Sequence, residues 1–145
     1  MSSAPTIIAS HFNHDITTSL IAGSHQCLTA QGYQDLSQPI WVPGAYELPI
    51  ASKWVIEKQN PVAIVLLGCV IEGETRHFDI ICDSLAISIQ KLMLKTGVAI
   101  LMGVLMTKSR EQALARSNPN NDENNGYQVM KSALSMVKLH NSINQ

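Results

Sequence analysis

The segment Gly73–His77, which reads Gly-Glu-Thr-Arg-His, carries the residue types best suited to chemistry. It follows the longest apolar run of the chain and precedes a segment with helical periodicity. A glycine before the first turn of a helix exposes backbone N–H groups, which favour a phosphate or carboxylate together with the helix dipole. His77 lies in that turn, where a neutral imidazole can transfer protons near neutral pH. The segment predicts an anion site with an acid–base group. The alternative is that Thr75 caps the helix and His77 is a solvated surface residue.

A second candidate segment, Val42–Pro49, reads as a rigid turn that leads into a helix. Pro43 and Gly44 fix the turn, and the small side chain of Ala45 leaves backbone amides open to a ligand. Glu47 lies beside them and can accept hydrogen bonds from ligand hydroxyls. The alternative for Glu47 is a purely structural role, because a carboxylate is favourable at the start of a helix.

Two single residues complete the set of candidates. Phe12 is one of two phenylalanines and falls in a polar segment after a strand, which suits stacking on a planar heterocycle. Its alternative is a ring folded back onto the core. Arg116 ends a short helix and can clamp a phosphate through two parallel hydrogen bonds. Its alternative is a charge partner for the carboxyl end of that helix.

The sequence disfavours a metal or a nucleotide cofactor. The five histidines form no HExxH pattern, and although His11 and His14 can approach one another, no cysteine or carboxylate has partner spacing. There is no GxGxxG and no P-loop, so we expect no cofactor. The three cysteines, Cys27, Cys69 and Cys82, lack CxxC spacing and fall in apolar patterns. They are predicted to be buried and reduced, which favours the cytoplasm.

Short apolar runs alternate with helix-period segments along the chain. The predicted strands are Thr6–Ser10, Ile40–Val42, Val62–Ile71 and Val98–Val104. The predicted helices are one that follows His11–Asp15 and ends at Gly32, then Glu47–Gln59, Phe78–Leu94, Thr107–Ser117 and Tyr127–Leu139. Asn13 or Asp15 is the expected cap of the first helix, and Thr107 or Ser109 that of the fourth. Ser117–Gly126 is predicted to be a polar loop.

Fourfold alternation of strand and helix predicts one α/β domain over residues 1–145, with a four-stranded parallel sheet and helices on both faces. In such folds the functional loops leave the carboxyl ends of the strands. The corresponding segments are Ser10–Asp15, Val42–Glu47, Val70–His77 and Leu105–Arg110.

The amino-acid composition indicates which kinds of macromolecule the chain can bind. The chain has 145 residues, of which 46% are hydrophobic and 14% charged, and a surface so poor in charge suggests a homo-oligomer. A net charge of −1 without a basic run argues against nucleic-acid binding. Met1–Pro5 lacks the pattern of a secretory signal, and no apolar stretch reaches the ~20 residues that span a bilayer.

Taken together and in order, these segments resemble the 6,7-dimethyl-8-ribityllumazine synthase family of riboflavin biosynthesis. The most specific matches are the blocks Val42–Pro49 and Gly73–Asp79, and the resemblance runs from about Ile7 to Leu139. It implies a flavodoxin-like three-layer α/β/α sandwich that assembles as a homopentamer, or a higher assembly of pentamers, with active sites shared between neighbouring subunits. Further matching pieces are Phe12-Asn13, Ile16-Thr17, Gly68, Val70-Ile71, Thr96–Val98, Gly103–Leu105 and Glu111–Leu114 with Arg116.

The resemblance also implies a reaction and roles for residues. The family condenses 5-amino-6-(D-ribitylamino)uracil with 3,4-dihydroxy-2-butanone 4-phosphate through an imine, without a cofactor, and releases phosphate and water. By resemblance, His77 shuttles protons and Arg116 of a neighbouring subunit binds the phosphate. The implied substrate-binding residues are Phe12, which stacks on the pyrimidine, Ala45 and Glu47 at the ribityl chain with Tyr46 between them in sequence, Val70 and Ile71 at the ring, Gly73, Glu74 and Thr75 at the phosphate, and Met102 from the neighbour.

Four positions depart from the family pattern. Met102 stands where an aromatic often covers the ring, Met106 replaces a common threonine, Glu72 occupies a position that is often basic, and Asn125 stands where a lysine often precedes the last glycine. Loss of cations near an anionic substrate should weaken binding. The altered loop also favours a free pentamer or paired pentamers over a capsid. One alternative is therefore a catalytically weak paralogue that binds ribityllumazine or flavin. Another is a flavodoxin-type redox carrier, although the first loop lacks the phosphate cradle of such a protein.

Overall fold

The computed structural model describes residues 3–120 and 123–145. In this part of the chain four strands form one parallel sheet in the order β2-β1-β3-β4. The strands are β1 (Thr6–Ser10), β2 (Ile40–Val42), β3 (Ile64–Ile71) and β4 (Ile100–Thr107). The helices are α1 (His14–Ala30), α2 (Leu48–Gln59), α3 (Phe78–Thr96), α4 (Arg110–Arg116) and α5 (Asn125–Ile143), with a 3-10 turn at Ala45–Glu47. The predicted flavodoxin-like three-layer α/β/α sandwich is confirmed.

Strand β3 is the centre of the sheet and is buried along its whole length. Its unbroken apolar sequence reflects helices on both faces, as in parallel sheets generally. Alternate residues face opposite layers: Val65, Leu67 and Cys69 belong to one core, whereas Ile64 and Leu66 belong to the other.

The core on the first face is closed by α1, α4 and α5. Helices α1 and α5 pack at backbone distance, because a Cβ at Gly126 would overlap the carbonyl of Leu20. At the same contact the Ser24 hydroxyl donates to the Gly126 carbonyl at 2.8 Å. The buried Asn124 amide donates to the carbonyls of Ser117 and two other residues, and its oxygen accepts from the Tyr127 N–H. Polar groups on this face are thus satisfied internally.

The core on the second face is covered by α2 and α3. It is thinner, since only Leu85 and Ile89 of the 19 residues in α3 are buried. Large apolar side chains of this helix remain exposed, namely Ile80, Ile87 and Leu94. A helix that is apolar on more than one side, yet buried on one narrow stripe, leaves surface suited to a partner.

Several predicted boundaries and caps were wrong. The fourth strand continues to Thr107 and begins at Ile100, because its pairing with β3 extends to Ile71. Asn13 precedes α1 in a left-handed conformation and its side chain does not cap the helix. For α4 the cap is Ser109 rather than Thr107, since its hydroxyl accepts from the Gln112 N–H at 3.2 Å.

The fifth helix also differs from expectation. Gly126, predicted as the end of a polar loop, lies inside α5, where it permits the contact with α1. Of the predicted loop, Asn121 and Asp122 lie outside the described residues, as do Met1 and Ser2 of the N-terminal segment. Cys27 and Cys69 are buried as predicted, but Cys82 is only half-buried.

Candidate active site

A cavity of about 350 Å³ opens at the carboxyl edge of the sheet, on the face of α2 and α3. Its lining residues come from the segments after β1, β2 and β3: Phe12, Pro43, Gly44, Ala45, Tyr46, Glu47, Cys69, Val70, Thr75 and Ile81. Strands β2 and β3 lie on opposite sides of β1, so the order in which strands are added to the sheet reverses here, and such switch points are the usual ligand sites of open α/β sheets. The volume is in the range of small-molecule pockets.

The turn after β2 forms one wall of the cavity. The Gly44 N–H donates to Glu47 Oε1 at 2.9 Å, and the Glu47 N–H donates back to the Gly44 carbonyl at 3.2 Å. This reciprocal pair fixes the 3-10 turn and orients the carboxylate. The structural role foreseen for Glu47 is therefore real. One carboxylate oxygen remains for a ligand, since the bond to Gly44 uses only Oε1.

The segment after β1 forms the opposite wall. Phe12 is 51% exposed and lines the cavity, so the alternative of a ring folded onto the core is wrong. The Phe12 N–H donates to the Pro43 carbonyl at 3.2 Å, and Asn13 Nδ2 donates to the Cys69 carbonyl at 3.1 Å. These bonds tie the first segment to the second and third strands. The Asn13 side chain forms this bridge instead of capping α1. Its backbone is left-handed, a conformation that asparagine adopts more readily than most residues.

Segment Gly73–His77 lies at the third side and contributes Thr75 to the cavity. Gly73 has φ +92°, a conformation that favours glycine. The His77 N–H donates weakly to Thr75 Oγ1 at 3.4 Å, so Thr75 bridges within the segment and does not cap α3. Within the described residues, a run of backbone N–H groups here has no hydrogen-bond acceptor: those of Gly73, Thr75, Arg76, Phe78, Asp79 and Ile80. Unpaired donors at an uncapped helix start suit an anion.

His77 itself is exposed and does not line this cavity. Its carbonyl accepts the Ile81 N–H at 2.8 Å, which places the residue at the start of α3, and its imidazole forms no side-chain bond among the described residues. The ring is therefore exposed and held by no hydrogen bond from the described residues.

Cys69 is a lining residue of this cavity, although its side chain belongs to the core under α1, α4 and α5. Burial raises its pKa to about 11, the negative charge of Glu74 adds to the rise, and Arg110 opposes it. Such a thiol is protonated at neutral pH and is a poor nucleophile. The cavity is therefore better suited to acid–base chemistry and ligand binding than to thiolate catalysis.

Other predicted residues are not brought to the cavity in one chain. The side chain of Ile71 belongs to the core under α1 and α5, so only its backbone faces the loops at this edge. Met102 is half-buried on the edge strand β4, where it pairs with Leu66 of β3. Arg116 is exposed at the end of α4 and has no acidic partner within 4 Å among the described residues.

The sequence did not single out Ile81 as a lining residue, nor a second cavity beside the first. This second cavity, of about 340 Å³, lies between α2 and α3 and shares Tyr46 and Glu47 with the first. Its other walls are Pro49, Ile50, Ser84, Leu85 and Ser88. The helical spacing of Ser84 and Ser88 was the available signal, since i and i+4 side chains share a face.

Two further features were sought among the described residues: a metal site and a membrane-spanning helix. No group of three or more His, Cys, Asp or Glu side chains is arranged to hold a metal ion. No helix in residues 3–120 or 123–145 has the length and apolar character needed to cross a membrane.

Fold and site together define a flavodoxin-like α/β protein with a small-molecule cavity at the switch point of its sheet. Comparison with known proteins gives the family. Residues 4–141 match the family described as 6,7-dimethyl-8-ribityllumazine synthase. A protein of that name from Coxiella burnetii (strain RSA 493 / Nine Mile phase I) is 38% identical over 138 residues, 94% of this chain and 91% of the relative. Another from Xanthomonas axonopodis pv. citri (strain 306) is 41% identical over 134 residues, 92% of this chain and 86% of the relative. The chain belongs to this family.

Proposed function

We propose that the chain is a transferase of riboflavin biosynthesis that makes 6,7-dimethyl-8-ribityllumazine. Its substrates are 5-amino-6-(D-ribitylamino)uracil and 3,4-dihydroxy-2-butanone 4-phosphate, which condense through an imine with loss of phosphate and water. The observation that carries the proposal is one cavity lined by both family blocks, with Ala45 and Glu47 from one and Thr75 from the other. A family member that retains this cavity has the walls needed for both substrates.

The pyrimidine half of the proposal rests on the apolar part of the cavity. Phe12 offers a free aromatic face, and Val70 is a buried wall from the end of β3. Glu47, held by Gly44 through Oε1, keeps its other oxygen to accept hydrogen bonds from ribityl hydroxyls. We assign Tyr46 and the backbone of Ala45 to the same chain of hydroxyls.

The phosphate half rests on Gly73, Glu74 and Thr75: the N–H groups of Gly73 and Thr75 are unpaired among the described residues, and Thr75 lines the cavity. His77, two residues after Thr75, is assigned the proton transfers of imine formation and phosphate elimination, since both steps move protons at nitrogen and carbon near neutral pH. This series of reaction steps needs no cofactor, because formation of the imine and departure of the phosphate drive the condensation.

We further propose that the active enzyme is a homo-oligomer, a pentamer or an assembly of pentamers. The support is the exposed apolar surface of the second face: Ile80, Ile87 and Leu94 are 63%, 57% and 84% exposed in the single chain. A second copy would cover these side chains. Arg116 and Met102, which do not line the cavity of their own chain, are then assigned to the site of a neighbour. Sedimentation velocity tests this, and a monomer at micromolar concentration contradicts it.

The cytoplasm is the proposed location. Its support is chemical: the three cysteines are free, and none forms a disulfide.

The decisive experiment mixes purified protein with both substrates and follows lumazine fluorescence against the spontaneous reaction. Formation of product well above the uncatalysed rate, dependent on both substrates, is the expected result. Tight product binding with no rate above background supports the second candidate, a weak paralogue that binds ribityllumazine or flavin; Met102 and Asn125 are the residues that favour it. Purification as a yellow protein with bound flavin mononucleotide would instead support the redox carrier.

A further inference from the structure

Segment Glu72–His77 has an unusual distribution of charge for an anion site. Two carboxylates, Glu72 and Glu74, flank Gly73, and both are exposed. A phosphate monoester carries about −1.5 to −2 charges at neutral pH, so each carboxylate opposes its binding there. The backbone donors alone must overcome this repulsion unless a cation lies close by.

Arg76 is the one cation in that segment. It is exposed, its side chain has no acidic partner within 4 Å among the described residues, and its own N–H has no acceptor there. The next residue along the chain in each direction belongs to the proposed site: Thr75 lines the cavity, and His77 precedes α3. The weak bond from the His77 N–H to Thr75 Oγ1 closes a turn with Arg76 at its tip.

Other cations at this edge of the sheet are less available. Arg110 is paired with Asp15, across the starts of α4 and α1. Lys108 is exposed and follows Thr107, whose carbonyl accepts the Glu72 N–H at 2.9 Å, but its ammonium group is a point charge and not a guanidinium. Arg116 depends on a neighbouring subunit under the proposed function. Within one chain, Arg76 is therefore the free guanidinium nearest in sequence to the unpaired donors.

We propose that Arg76 binds the phosphate of the butanone substrate and offsets the charges of Glu72 and Glu74, so that this segment adds a cation of its own chain to the one that Arg116 of a neighbouring subunit supplies under the proposed function. This proposal rests on the proposed function and names a specificity-determining residue for it. The planar guanidinium can donate two parallel hydrogen bonds to phosphate oxygens, whereas the ammonium group of lysine acts as a point charge. Arg76 binds substrate and takes no part in the proton transfers.

Three variants test the role of Arg76: Arg76→Ala, Arg76→Lys and Lys108→Ala. The last is the matched control, because it removes the same charge from an exposed position at the same edge of the sheet. Each is assayed with the butanone phosphate varied at saturating pyrimidine and then with the pyrimidine varied. Inorganic phosphate is titrated into each protein by calorimetry, and circular dichroism checks the fold.

For Arg76→Ala we expect KM for the butanone phosphate to rise about tenfold, with KM for the pyrimidine unchanged and inorganic phosphate bound correspondingly more weakly. Arg76→Lys should give an intermediate value, and Lys108→Ala a change below about twofold. Equal effects of Arg76→Ala and Lys108→Ala would overturn the proposal, because general surface charge would then be the cause. An equal rise in both KM values would overturn it as well.

Failure of the proposed function is a separate outcome. If the wild-type protein makes no lumazine, the phosphate titration still tests Arg76. Unchanged phosphate binding in Arg76→Ala, or no phosphate binding by the wild-type protein, refutes its role.

Discussion

The two faces of the sheet are built in different ways. Under α1, α4 and α5 the structure is sealed: α1 meets α5 at Gly126, and the buried Asn124 satisfies four backbone groups there. Under α2 and α3 the packing is open: this layer has two cavities, and helix α3 buries only Leu85 and Ile89. The sealed face supplies stability, and the open face carries the candidate site and, under our proposal, the surface for a second copy. Sites need exposed donors and open volume, which a close-packed layer cannot offer.

The largest expected effect is on the sealed face. Gly126→Val should lower the free energy of unfolding by about 3 kcal/mol, because any Cβ overlaps the Leu20 carbonyl and must separate α1 from α5. Urea denaturation at fixed protein concentration measures this. Gly32→Ala is the control: its φ of +89° costs about 1 kcal/mol, but nothing lies within 4 Å of the new methyl group. If both variants lose the same stability, the close contact of the two helices is not the cause.

On the open face the largest effect should be catalytic. His77→Ala should reduce kcat about a hundredfold with the unfolding midpoint unchanged, because the imidazole is exposed and makes no bond within the described residues. Single-turnover fluorescence of the product gives the rate. The exposed His140, at the far end of α5, is the matched control, and His140→Ala should retain wild-type kcat. A wild-type rate in His77→Ala would remove this residue from the mechanism.

A smaller effect tests whether the open face is completed by a neighbour. Arg116→Ala should raise KM for the butanone phosphate about tenfold through loss of one charged contact, with a lesser change in kcat. If sites are shared, coexpression of Arg116→Ala with His77→Ala should restore both groups in about a quarter of the sites of a random assembly. Activity no greater than the mean of the two parents would mean that each site lies within one chain.

The smallest effect is expected at Cys69, whose side chain belongs to the core on the sealed face. Its pKa of about 11 keeps the thiol protonated, so alkylation by iodoacetamide at pH 8 should leave activity unchanged. Reactivity should rise only as the pH approaches 11, since a raised pKa delays formation of the thiolate. Peptide mass spectrometry at pH 8 and pH 10.5 measures the labelled fraction. Rapid labelling of Cys69 at pH 8 would contradict the burial that raises its pKa.

Different parts of the molecule were predictable to different degrees. The ends of β1 and β2 were predicted to the residue, since short β-branched runs between turn residues have few alternatives. The end of β4 was missed, because its pairing with β3 continues through Met106 and Thr107, which carry no strong local signal. In the candidate site, Phe12 and Glu47 were foreseen from loop chemistry and Thr75 from the family resemblance, and all three line one cavity.

The local sequence could not predict conformations that depend on contacts between residues far apart in the chain. Asn13 fits a helix cap by sequence, yet it donates to Cys69, 56 residues away. Gly126 fits a turn, yet it lies in a helix against α1. Both residue types serve several local structures, and the tertiary contact selects among them.

The sequence by itself determined the order of strands and helices, the family, and the blocks at the carboxyl ends of the strands. Periodicity and turn chemistry are local properties, so they can be read along the chain. Only the tertiary structure decided that Phe12, Glu47 and Thr75 share one cavity, that one face is sealed and the other left open, and that Arg76 stands without an acidic partner among the described residues. These features depend on strand order and helix packing, which bring together residues that are far apart in the chain.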